Sequence, residues 1–213
     1  MQRTAVVIGI VLFVLFTVFS REVKRGVMSQ VDFDMTVKLQ DKISSRFDQL
    51  MDDGAILADG VVSSGIVLGI SVWGLVKKKG VRKAGVLMLP LAFATLTGIE
   101  IYGKNFVPHP GPPFFMIKRP TTIFPKFHVV QPYAYPSGHA ARATFIALVV
   151  LHLTSYILRK KGTLGKYWVF GGVAGYVVFV AISRIYLGHH WLSDIVGGIL
   201  LGGSLGSFTL GFL

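Results

Sequence analysis

Two histidines in this chain of 213 residues stand in sequences that could support catalysis. His139 ends the sequence Pro-Ser-Gly-His, and His190 is followed four residues later by Asp194. On a helix, a spacing of four places His190 and Asp194 on the same face. The carboxylate could then orient the imidazole and stabilise positive charge on it. One histidine could attack a substrate while the other acts as acid or base.

Cationic side chains near these histidines indicate that the substrate is a phosphate. Lys104, Arg142 and Arg184 lie at or near the ends of apolar segments. Lysine and arginine neutralise phosphate oxygens, and arginine can do so with two parallel hydrogen bonds. Ser137 and Gly138 come at the start of a predicted helix, where backbone amides and the serine hydroxyl can donate to an anion. The residues therefore favour phosphoryl transfer.

The composition is that of an integral membrane protein. Hydrophobic residues make up 52% of the chain and charged residues 15%, whereas soluble domains have about 25% charged residues. The absence of cysteine excludes thiolate catalysis and cysteine-based metal sites. The net charge is +12, but the basic residues cluster at 77–83 and 159–166, between apolar segments. This distribution favours contact with lipid headgroups over binding of nucleic acid.

Six apolar segments are long enough to span, or nearly to span, a bilayer of about 30 Å. They are residues 4–20, 60–76, 84–103, 137–158, 167–182 and 195–213. The first could be a cleaved signal peptide, but no Ala-x-Ala site follows it, so we expect a retained helix. The sequence thus predicts an all-α, six-helix bundle forming one membrane domain over 1–213. Residues 1–59 would hold the first helix and an interfacial segment, and 60–213 the helical core.

The polar segment 21–59 holds eight of the ten acidic residues. Within it, Leu39, Ile43, Phe47 and Leu50 recur at spacings typical of one apolar helix face. We therefore expect a helix lying along the membrane interface. The alternative is a flap beside a slot through which a lipid reaches the site.

The distribution of basic residues predicts the orientation. With six spans, the amino terminus and the loops 77–83 and 159–166 share one side and carry ten lysines and arginines. The positive-inside rule makes that side, and both termini, cytoplasmic. Lys104, His139, Arg184 and His190 would then meet at the extracytoplasmic face. Glu100, inside the third span, could pair with a base near this site or lie at the interface.

These motifs resemble those of the type 2 phosphatidic acid phosphatase (PAP2) superfamily. Pro-Ser-Gly-His, ending at His139, resembles the second family motif. Ser183-Arg184, five residues, His190, three residues and Asp194 resemble the third. The resemblance covers roughly residues 84–213 and implies the six-helix bundle of that family.

The first family motif, Lys, six residues and Arg-Pro, is kept only in part. Lys104 fits it, but Gly111 stands where the arginine is expected. Arg119, which precedes a proline, or Arg142 would then supply the missing guanidinium. Because Arg142 is three residues after His139, both share a helix face, so Arg142 is the preferred candidate.

The resemblance implies a metal-independent lipid phosphatase without a cofactor. His190 would attack phosphorus to form a phosphohistidine, and His139 would protonate the leaving group and then activate water. The phosphate would be held by Lys104, Arg184, Ser137 and Gly138. We expect a polyprenyl pyrophosphate as substrate, with phosphatidic acid or phosphatidylglycerophosphate as the alternative. A non-catalytic lipid-binding or transport protein on the same scaffold is an alternative of another class.

Overall fold

The computed structural model describes residues 2–77, 82–118, 132–160 and 163–213. These residues contain eight α-helices and no strand, which confirms the predicted all-α class. The helices are α1 (Gln2–Lys24), α2 (Ser29–Lys42), α3 (Asp48–Asp53), α4 (Gly60–Lys77), α5 (Arg82–Phe106), α6 (Gly138–Lys160), α7 (Thr163–Tyr186) and α8 (Leu192–Leu210). Three 3-10 turns lie at Ser45–Phe47, Ile56–Ala58 and Phe114–Met116.

Five helices in the described part of the chain are long and apolar enough to cross a membrane: α1, α4, α5, α7 and α8. The sixth predicted span corresponds to α6. This helix has 23 residues, or about 34 Å of length, and within its described side chains the apolar stretch is Gly138–Thr154. The protein is therefore a multi-pass membrane protein, and the count of six spans stays a prediction that depends on α6.

Helix α8 packs between α1 and α6. Its glycines allow the α6 backbone to approach closely. A Cβ atom on Gly198 would collide with the carbonyl oxygen of Ser137, and one on Gly202 with that of Ala141. The small-xxx-small spacing in this helix therefore serves packing within the chain.

Helix α1 is part of the same bundle. Ser204 on α8 donates its hydroxyl to the carbonyl oxygen of Gly9 at 2.8 Å. Near the other end of α1, the hydroxyls of Ser20 and Tyr135 form a hydrogen bond of 2.8 Å. Because Tyr135 immediately precedes the Pro-Ser-Gly-His sequence, α1 also supports the chain at the start of α6.

The single amphipathic helix predicted through residues 39–50 is wrong. Helix α2 ends at Lys42, and Ile43 is extended, with φ −97° and ψ 123°. Leu39 packs against a buried cluster, whereas Leu50 is 58% exposed, so these apolar residues do not share one face.

Long-range hydrogen bonds explain where α2 is held. The side-chain amide of Gln40 donates through Nε2 to the carbonyl oxygens of Met116 and Tyr186, at 2.7 and 2.9 Å. Helix α2 packs against α7 and α8, and it buries Asp32 and Thr36. The segment therefore covers one end of the bundle.

Candidate active site

The ends of α5 and α7 and the starts of α6 and α8 meet at one end of the bundle. The Ser137 amide donates to the carbonyl oxygen of Asp194 at 2.9 Å, which joins the starts of α6 and α8. The amides of His189 and His190 donate to the carbonyl oxygen of Arg184, at 3.0 and 3.2 Å. These bonds hold the short α7–α8 connection against the end of α7.

His190 and Asp194 form a buried pair. The His190 Nδ1 atom lies 3.3 Å from Asp194 Oδ2, which also accepts a hydrogen bond from the Trp191 amide at 2.9 Å. Because a carboxylate only accepts, it favours the tautomer with hydrogen on Nδ1. The Nε2 atom of His190 then carries the lone pair.

The surroundings of His190 keep its imidazole neutral. Burial, and then the positive charge of Lys104, lower the pKa of His190 to about 3, while Glu100 opposes this shift. At neutral pH the Nε2 lone pair is therefore available for attack, and no other group has to remove a proton first.

His139 lies at the start of α6 within the electrostatic reach of this pair. The charges of Arg184 and Arg142 act on it, as does His190. The two histidines are 51 residues apart in the sequence, yet the antiparallel course of α6 and α7 returns the chain to the same level. This arrangement permits a nucleophile and a separate proton donor at one phosphate.

Glu100 connects two of the candidate phosphate ligands. Its Oε1 atom accepts a hydrogen bond from Lys104 Nζ at 2.8 Å, and its Oε2 atom accepts one from Arg142 Nη1 at 2.6 Å. Arg142 also donates its Nε hydrogen to the carbonyl oxygen of Ala58 at 2.9 Å. Glu100 thus pairs with two basic residues near the site, which is the first of the two alternatives that the sequence left open.

Arg184 is held by the short helix α3. Its Nη2 atom donates to the carbonyl oxygen of Met51 at 3.1 Å and lies 3.2 Å from Asp52 Oδ1. Its Nε atom lies 3.3 Å from Ser183 Oγ, and the residue is only 1% exposed. A buried guanidinium is costly unless it is paired, so Asp52 stabilises Arg184 in the site.

The start of α6 is suited to an anion. Amides in the first turn of a helix, here those of Gly138 and His139, have no acceptor within the helix. A Cβ atom on Gly138 would collide with the Glu100 carboxylate, so a larger residue there would displace Glu100. The Ser137 hydroxyl lies 3.5 Å from the Ala140 amide and caps this turn only weakly.

Most of the predicted site residues lie at this end of the bundle, and their roles stay predictions. They are His139, His190, Asp194, Lys104, Arg184, Ser137, Gly138 and Arg142. Arg119 lies outside the described residues. Among the residues that the structure describes, no group of three or more His, Asp or Glu side chains is placed to hold a metal ion.

Sequence reasoning missed the carboxylates that the segment 21–59 brings to the site. Asp52 pairs with Arg184, and Asp32 accepts hydrogen bonds from the Ser193 amide and hydroxyl, each at 2.7 Å. The concentration of acidic residues in this segment could have indicated their role. A helix that only lies on anionic lipid headgroups does not need so many carboxylates.

Comparison with known protein families matches residues 84–213 to the PAP2 superfamily. A phosphatidylglycerophosphatase B of Bacillus subtilis (strain 168) is 32% identical over 84 residues, which are 38% of this chain and 39% of that protein. An undecaprenyl-diphosphatase of Sulfolobus acidocaldarius is 31% identical over 132 residues, 58% of this chain and 52% of that protein. A lipid phosphate phosphatase delta of Arabidopsis thaliana is 28% identical over 121 residues, 57% of this chain and 29% of that protein. The chain thus spans between 29% and 52% of the length of these relatives.

Two solved structures share the fold. A transmembrane PAP2-type phosphatidylglycerolphosphate phosphatase from Bacillus subtilis superposes with a TM-score of 0.75 at 22% identity, covering 96% of this chain and 95% of that one. LpxE of Aquifex aeolicus superposes with a TM-score of 0.58 at 22% identity, covering 84% and 94%. The first of these likenesses extends over almost the whole helical bundle.

Proposed function

The chain belongs to the PAP2 superfamily, and we propose that it is a membrane phosphatase that hydrolyses a lipid phosphate or pyrophosphate. The observation that carries the proposal is the His190–Asp194 pair, with a neutral imidazole among Lys104, Arg142 and Arg184. Binding of phosphate alone needs cations, and it needs neither a nucleophile nor a proton donor. The pair therefore favours catalysis over the binding or transport alternative.

In the first step, His190 Nε2 attacks phosphorus and forms an N–P bond while the bond from phosphorus to the leaving oxygen breaks. His139 enters this step protonated, because the negative charge of the bound phosphate favours the imidazolium, and it gives that proton to the leaving oxygen. The lipid alcohol or lipid phosphate therefore leaves in protonated form. Asp194 stabilises the positive charge that develops on the imidazole of His190, because its Oδ2 atom faces Nδ1.

In the second step, water attacks the phosphohistidine. His139, now neutral, takes a proton from the water as the P–N bond breaks, and inorganic phosphate leaves. His139 and His190 thereby return to their starting states, and no metal or cofactor takes part in either step.

Lys104, Arg184 and the first turn of α6, at Ser137 and Gly138, would hold the phosphate oxygens. Lys104 and Arg184 are paired with Glu100 and Asp52 before substrate arrives. These carboxylates keep a partly buried lysine and a buried arginine in place, and the phosphate would become an additional partner for both. Preorganised charges of this kind stabilise the transition state without reorganisation during the reaction.

A polyprenyl pyrophosphate is the substrate that we propose first. An extracytoplasmic site suits the recycling of a carrier lipid, and the Sulfolobus relative is an undecaprenyl-diphosphatase. The second candidate is phosphatidylglycerophosphate or phosphatidic acid, favoured by the likeness to phosphatidylglycerophosphatase B. The extracytoplasmic position of the site, with cytoplasmic termini, is part of this proposal and derives from the basic loops.

The test is release of phosphate by the purified protein in detergent with EDTA, from polyprenyl pyrophosphate, phosphatidic acid and phosphatidylglycerophosphate. We expect His190→Ala to lose several orders of magnitude in kcat while keeping its melting temperature. His152→Ala, a histidine of α6 more than three turns beyond His139, is the matched control and should keep its activity.

Rapid quenching should trap an acid-labile phosphoprotein from the wild type and none from His190→Ala. Vanadate should inhibit, because its trigonal-bipyramidal adduct resembles the in-line transition state. Unchanged turnover in His190→Ala would overturn the mechanism, and a wild type that binds these lipids without releasing phosphate would favour the binding or transport alternative.

A further inference from the structure

A buried polar network surrounds the oxygen of Asp194 that His190 does not contact. Asp194 Oδ1 accepts no hydrogen bond among the described residues, and it lies 3.6 Å from His109 Nε2. The same nitrogen lies 3.0 Å from Ser193 Oγ and 3.6 Å from Asp32 Oδ2. All four residues are buried, with exposures of 7% or less.

The count of available hydrogens shows which way these bonds run. Ser193 has one hydroxyl hydrogen, and it is donated to Asp32 Oδ2 at 2.7 Å. Ser193 Oγ must therefore accept the bond from His109, so Nε2 of His109 carries a hydrogen. That N–H is directed among Ser193 and the carboxylates of Asp32 and Asp194.

We propose that His109, held by Asp32 and Ser193, is a positioning residue for Asp194. This inference rests on the proposed function, because it assigns the role through Asp194 and His190. A movement of about half an ångström would bring the N–H of His109 within hydrogen-bond distance of Asp194 Oδ1. With both carboxylate oxygens fixed, Asp194 keeps Oδ2 on His190 Nδ1 while positive charge develops on the imidazole.

The network joins three separate parts of the chain. Asp32 lies on α2, His109 follows α5, and Ser193 and Asp194 begin α8. The Asp32 carboxylate also accepts the Ser193 amide, so it caps the start of α8 from outside that helix. Packing of α2 is thereby coupled to the alignment of the catalytic carboxylate.

A double-mutant cycle tests this role. Single-turnover rates are measured for the wild type, His109→Leu, Asp194→Asn and the double variant, with the lipid phosphate that the wild type cleaves best. His109→Leu is expected to lower the rate constant about 10- to 100-fold, with KM within about threefold because His109 contacts no phosphate ligand. In the Asp194→Asn background the same substitution should cost less than about threefold, because the carboxylate that it positions is gone.

Two further variants separate positioning from loss of packing. His109→Gln keeps an N–H near the position of Nε2 and should recover most of the rate that His109→Leu loses. Thr36→Val is the control on α2, because Thr36 is buried and its hydroxyl bonds to the Asp32 carbonyl oxygen within the helix. It should react at the wild-type rate.

Equal losses from His109→Leu in both backgrounds, or a rise in KM at constant kcat, would overturn the positioning role. If His109→Leu does not fold, Asp32→Asn replaces it in the cycle, and the same pattern is expected. A wild type that cleaves none of the lipid phosphates would overturn the proposed function instead. An active wild type with additive losses refutes the inference about His109 alone.

Discussion

Substitution of Arg142 by glutamine tests whether this residue supplies the guanidinium that Gly111 cannot. Arg142 is three residues beyond His139 on α6, and it is 8% exposed. Without a substrate it donates to Glu100 Oε2 at 2.6 Å and to the carbonyl oxygen of Ala58 at 2.9 Å. It can therefore act as a phosphate ligand, as a structural tie between α6 and the turn at Ile56–Ala58, or as both.

The two roles have different magnitudes and different readouts. Loss of a charge-assisted phosphate contact should cost about 2–4 kcal/mol of transition-state stabilisation, or roughly 30- to 1,000-fold in kcat/KM. Breaking a buried ion pair costs about 3–5 kcal/mol of folding free energy. Glu100 keeps Lys104 at 2.8 Å, so we expect a loss of folding free energy near the lower end of this range, about 3 kcal/mol.

The assay compares kcat/KM, vanadate inhibition and melting temperature for Arg142→Gln, Arg119→Gln and Glu100→Gln. Arg46→Gln is the control, because Arg46 is an exposed arginine that stacks on Phe47. We expect Arg142→Gln to weaken vanadate inhibition as well as turnover. Activity within about threefold of wild type in Arg142→Gln, with collapse in Arg119→Gln, would show that the loop arginine is the ligand and refute the preference for Arg142.

Three other predictions follow from the topology, the close packing and the electrostatics. A single cysteine at position 126 should react with an impermeant maleimide on intact cells, and one at position 80 should not. The reverse result would show that the chain has the opposite orientation in the membrane. Gly138→Ala should lose most activity, whereas Gly171→Ala on α7, where a Cβ atom meets nothing within 4 Å, should keep it. Full activity in Gly138→Ala would contradict the importance of the close contact between Gly138 and Glu100. The pKa of His190 is lowered from 6.5 to about 3, so between pH 6.5 and pH 3 the His190 imidazole is protonated in the unfolded chain and neutral in the folded one. The free energy of unfolding should therefore fall by up to about 1.4 kcal/mol per pH unit as the pH drops below 6.5. Melting curves of the wild type and His190→Gln from pH 7 to pH 4 check this, since the variant should lack that contribution; equal slopes would contradict it.

The gathering of the candidate site residues at one end of the bundle could be predicted, because the sequence carries their signals locally. His139 follows Ser-Gly at the start of a helix, and His190 and Asp194 have helical spacing next to an apolar segment. Polar residues inside membrane spans are costly without a function. The up-and-down order of the helices then brings these ends together without any knowledge of side-chain contacts.

The partners that segment 21–59 supplies to this site could not be predicted, because they come from distant parts of the chain. Asp52 pairs with Arg184 across 132 residues, and Asp32 bonds to Ser193 across 161. The segment 21–59 shows a helical period near Leu39, but the chain bends at Ile43, where α2 ends. The spacing of apolar residues does not reveal such a bend. The bend lies next to Gln40, whose side chain is held by the distant carbonyl oxygens of Met116 and Tyr186.

The glycines of α8 let main-chain atoms set the distance between α6 and α8, the helices that carry the proposed catalytic residues. At Gly202, two turns beyond Asp194, a Cβ atom would collide with the Ala141 carbonyl of α6. Side chains on the lipid face can therefore change with the membrane while the histidines keep their separation. One added methyl group at Gly202, in contrast, acts as a wedge between the helices. Since a misplacement of about 1 Å can cost about 100-fold in rate, this remote glycine would constrain the proposed reaction as tightly as a residue that touches the phosphate.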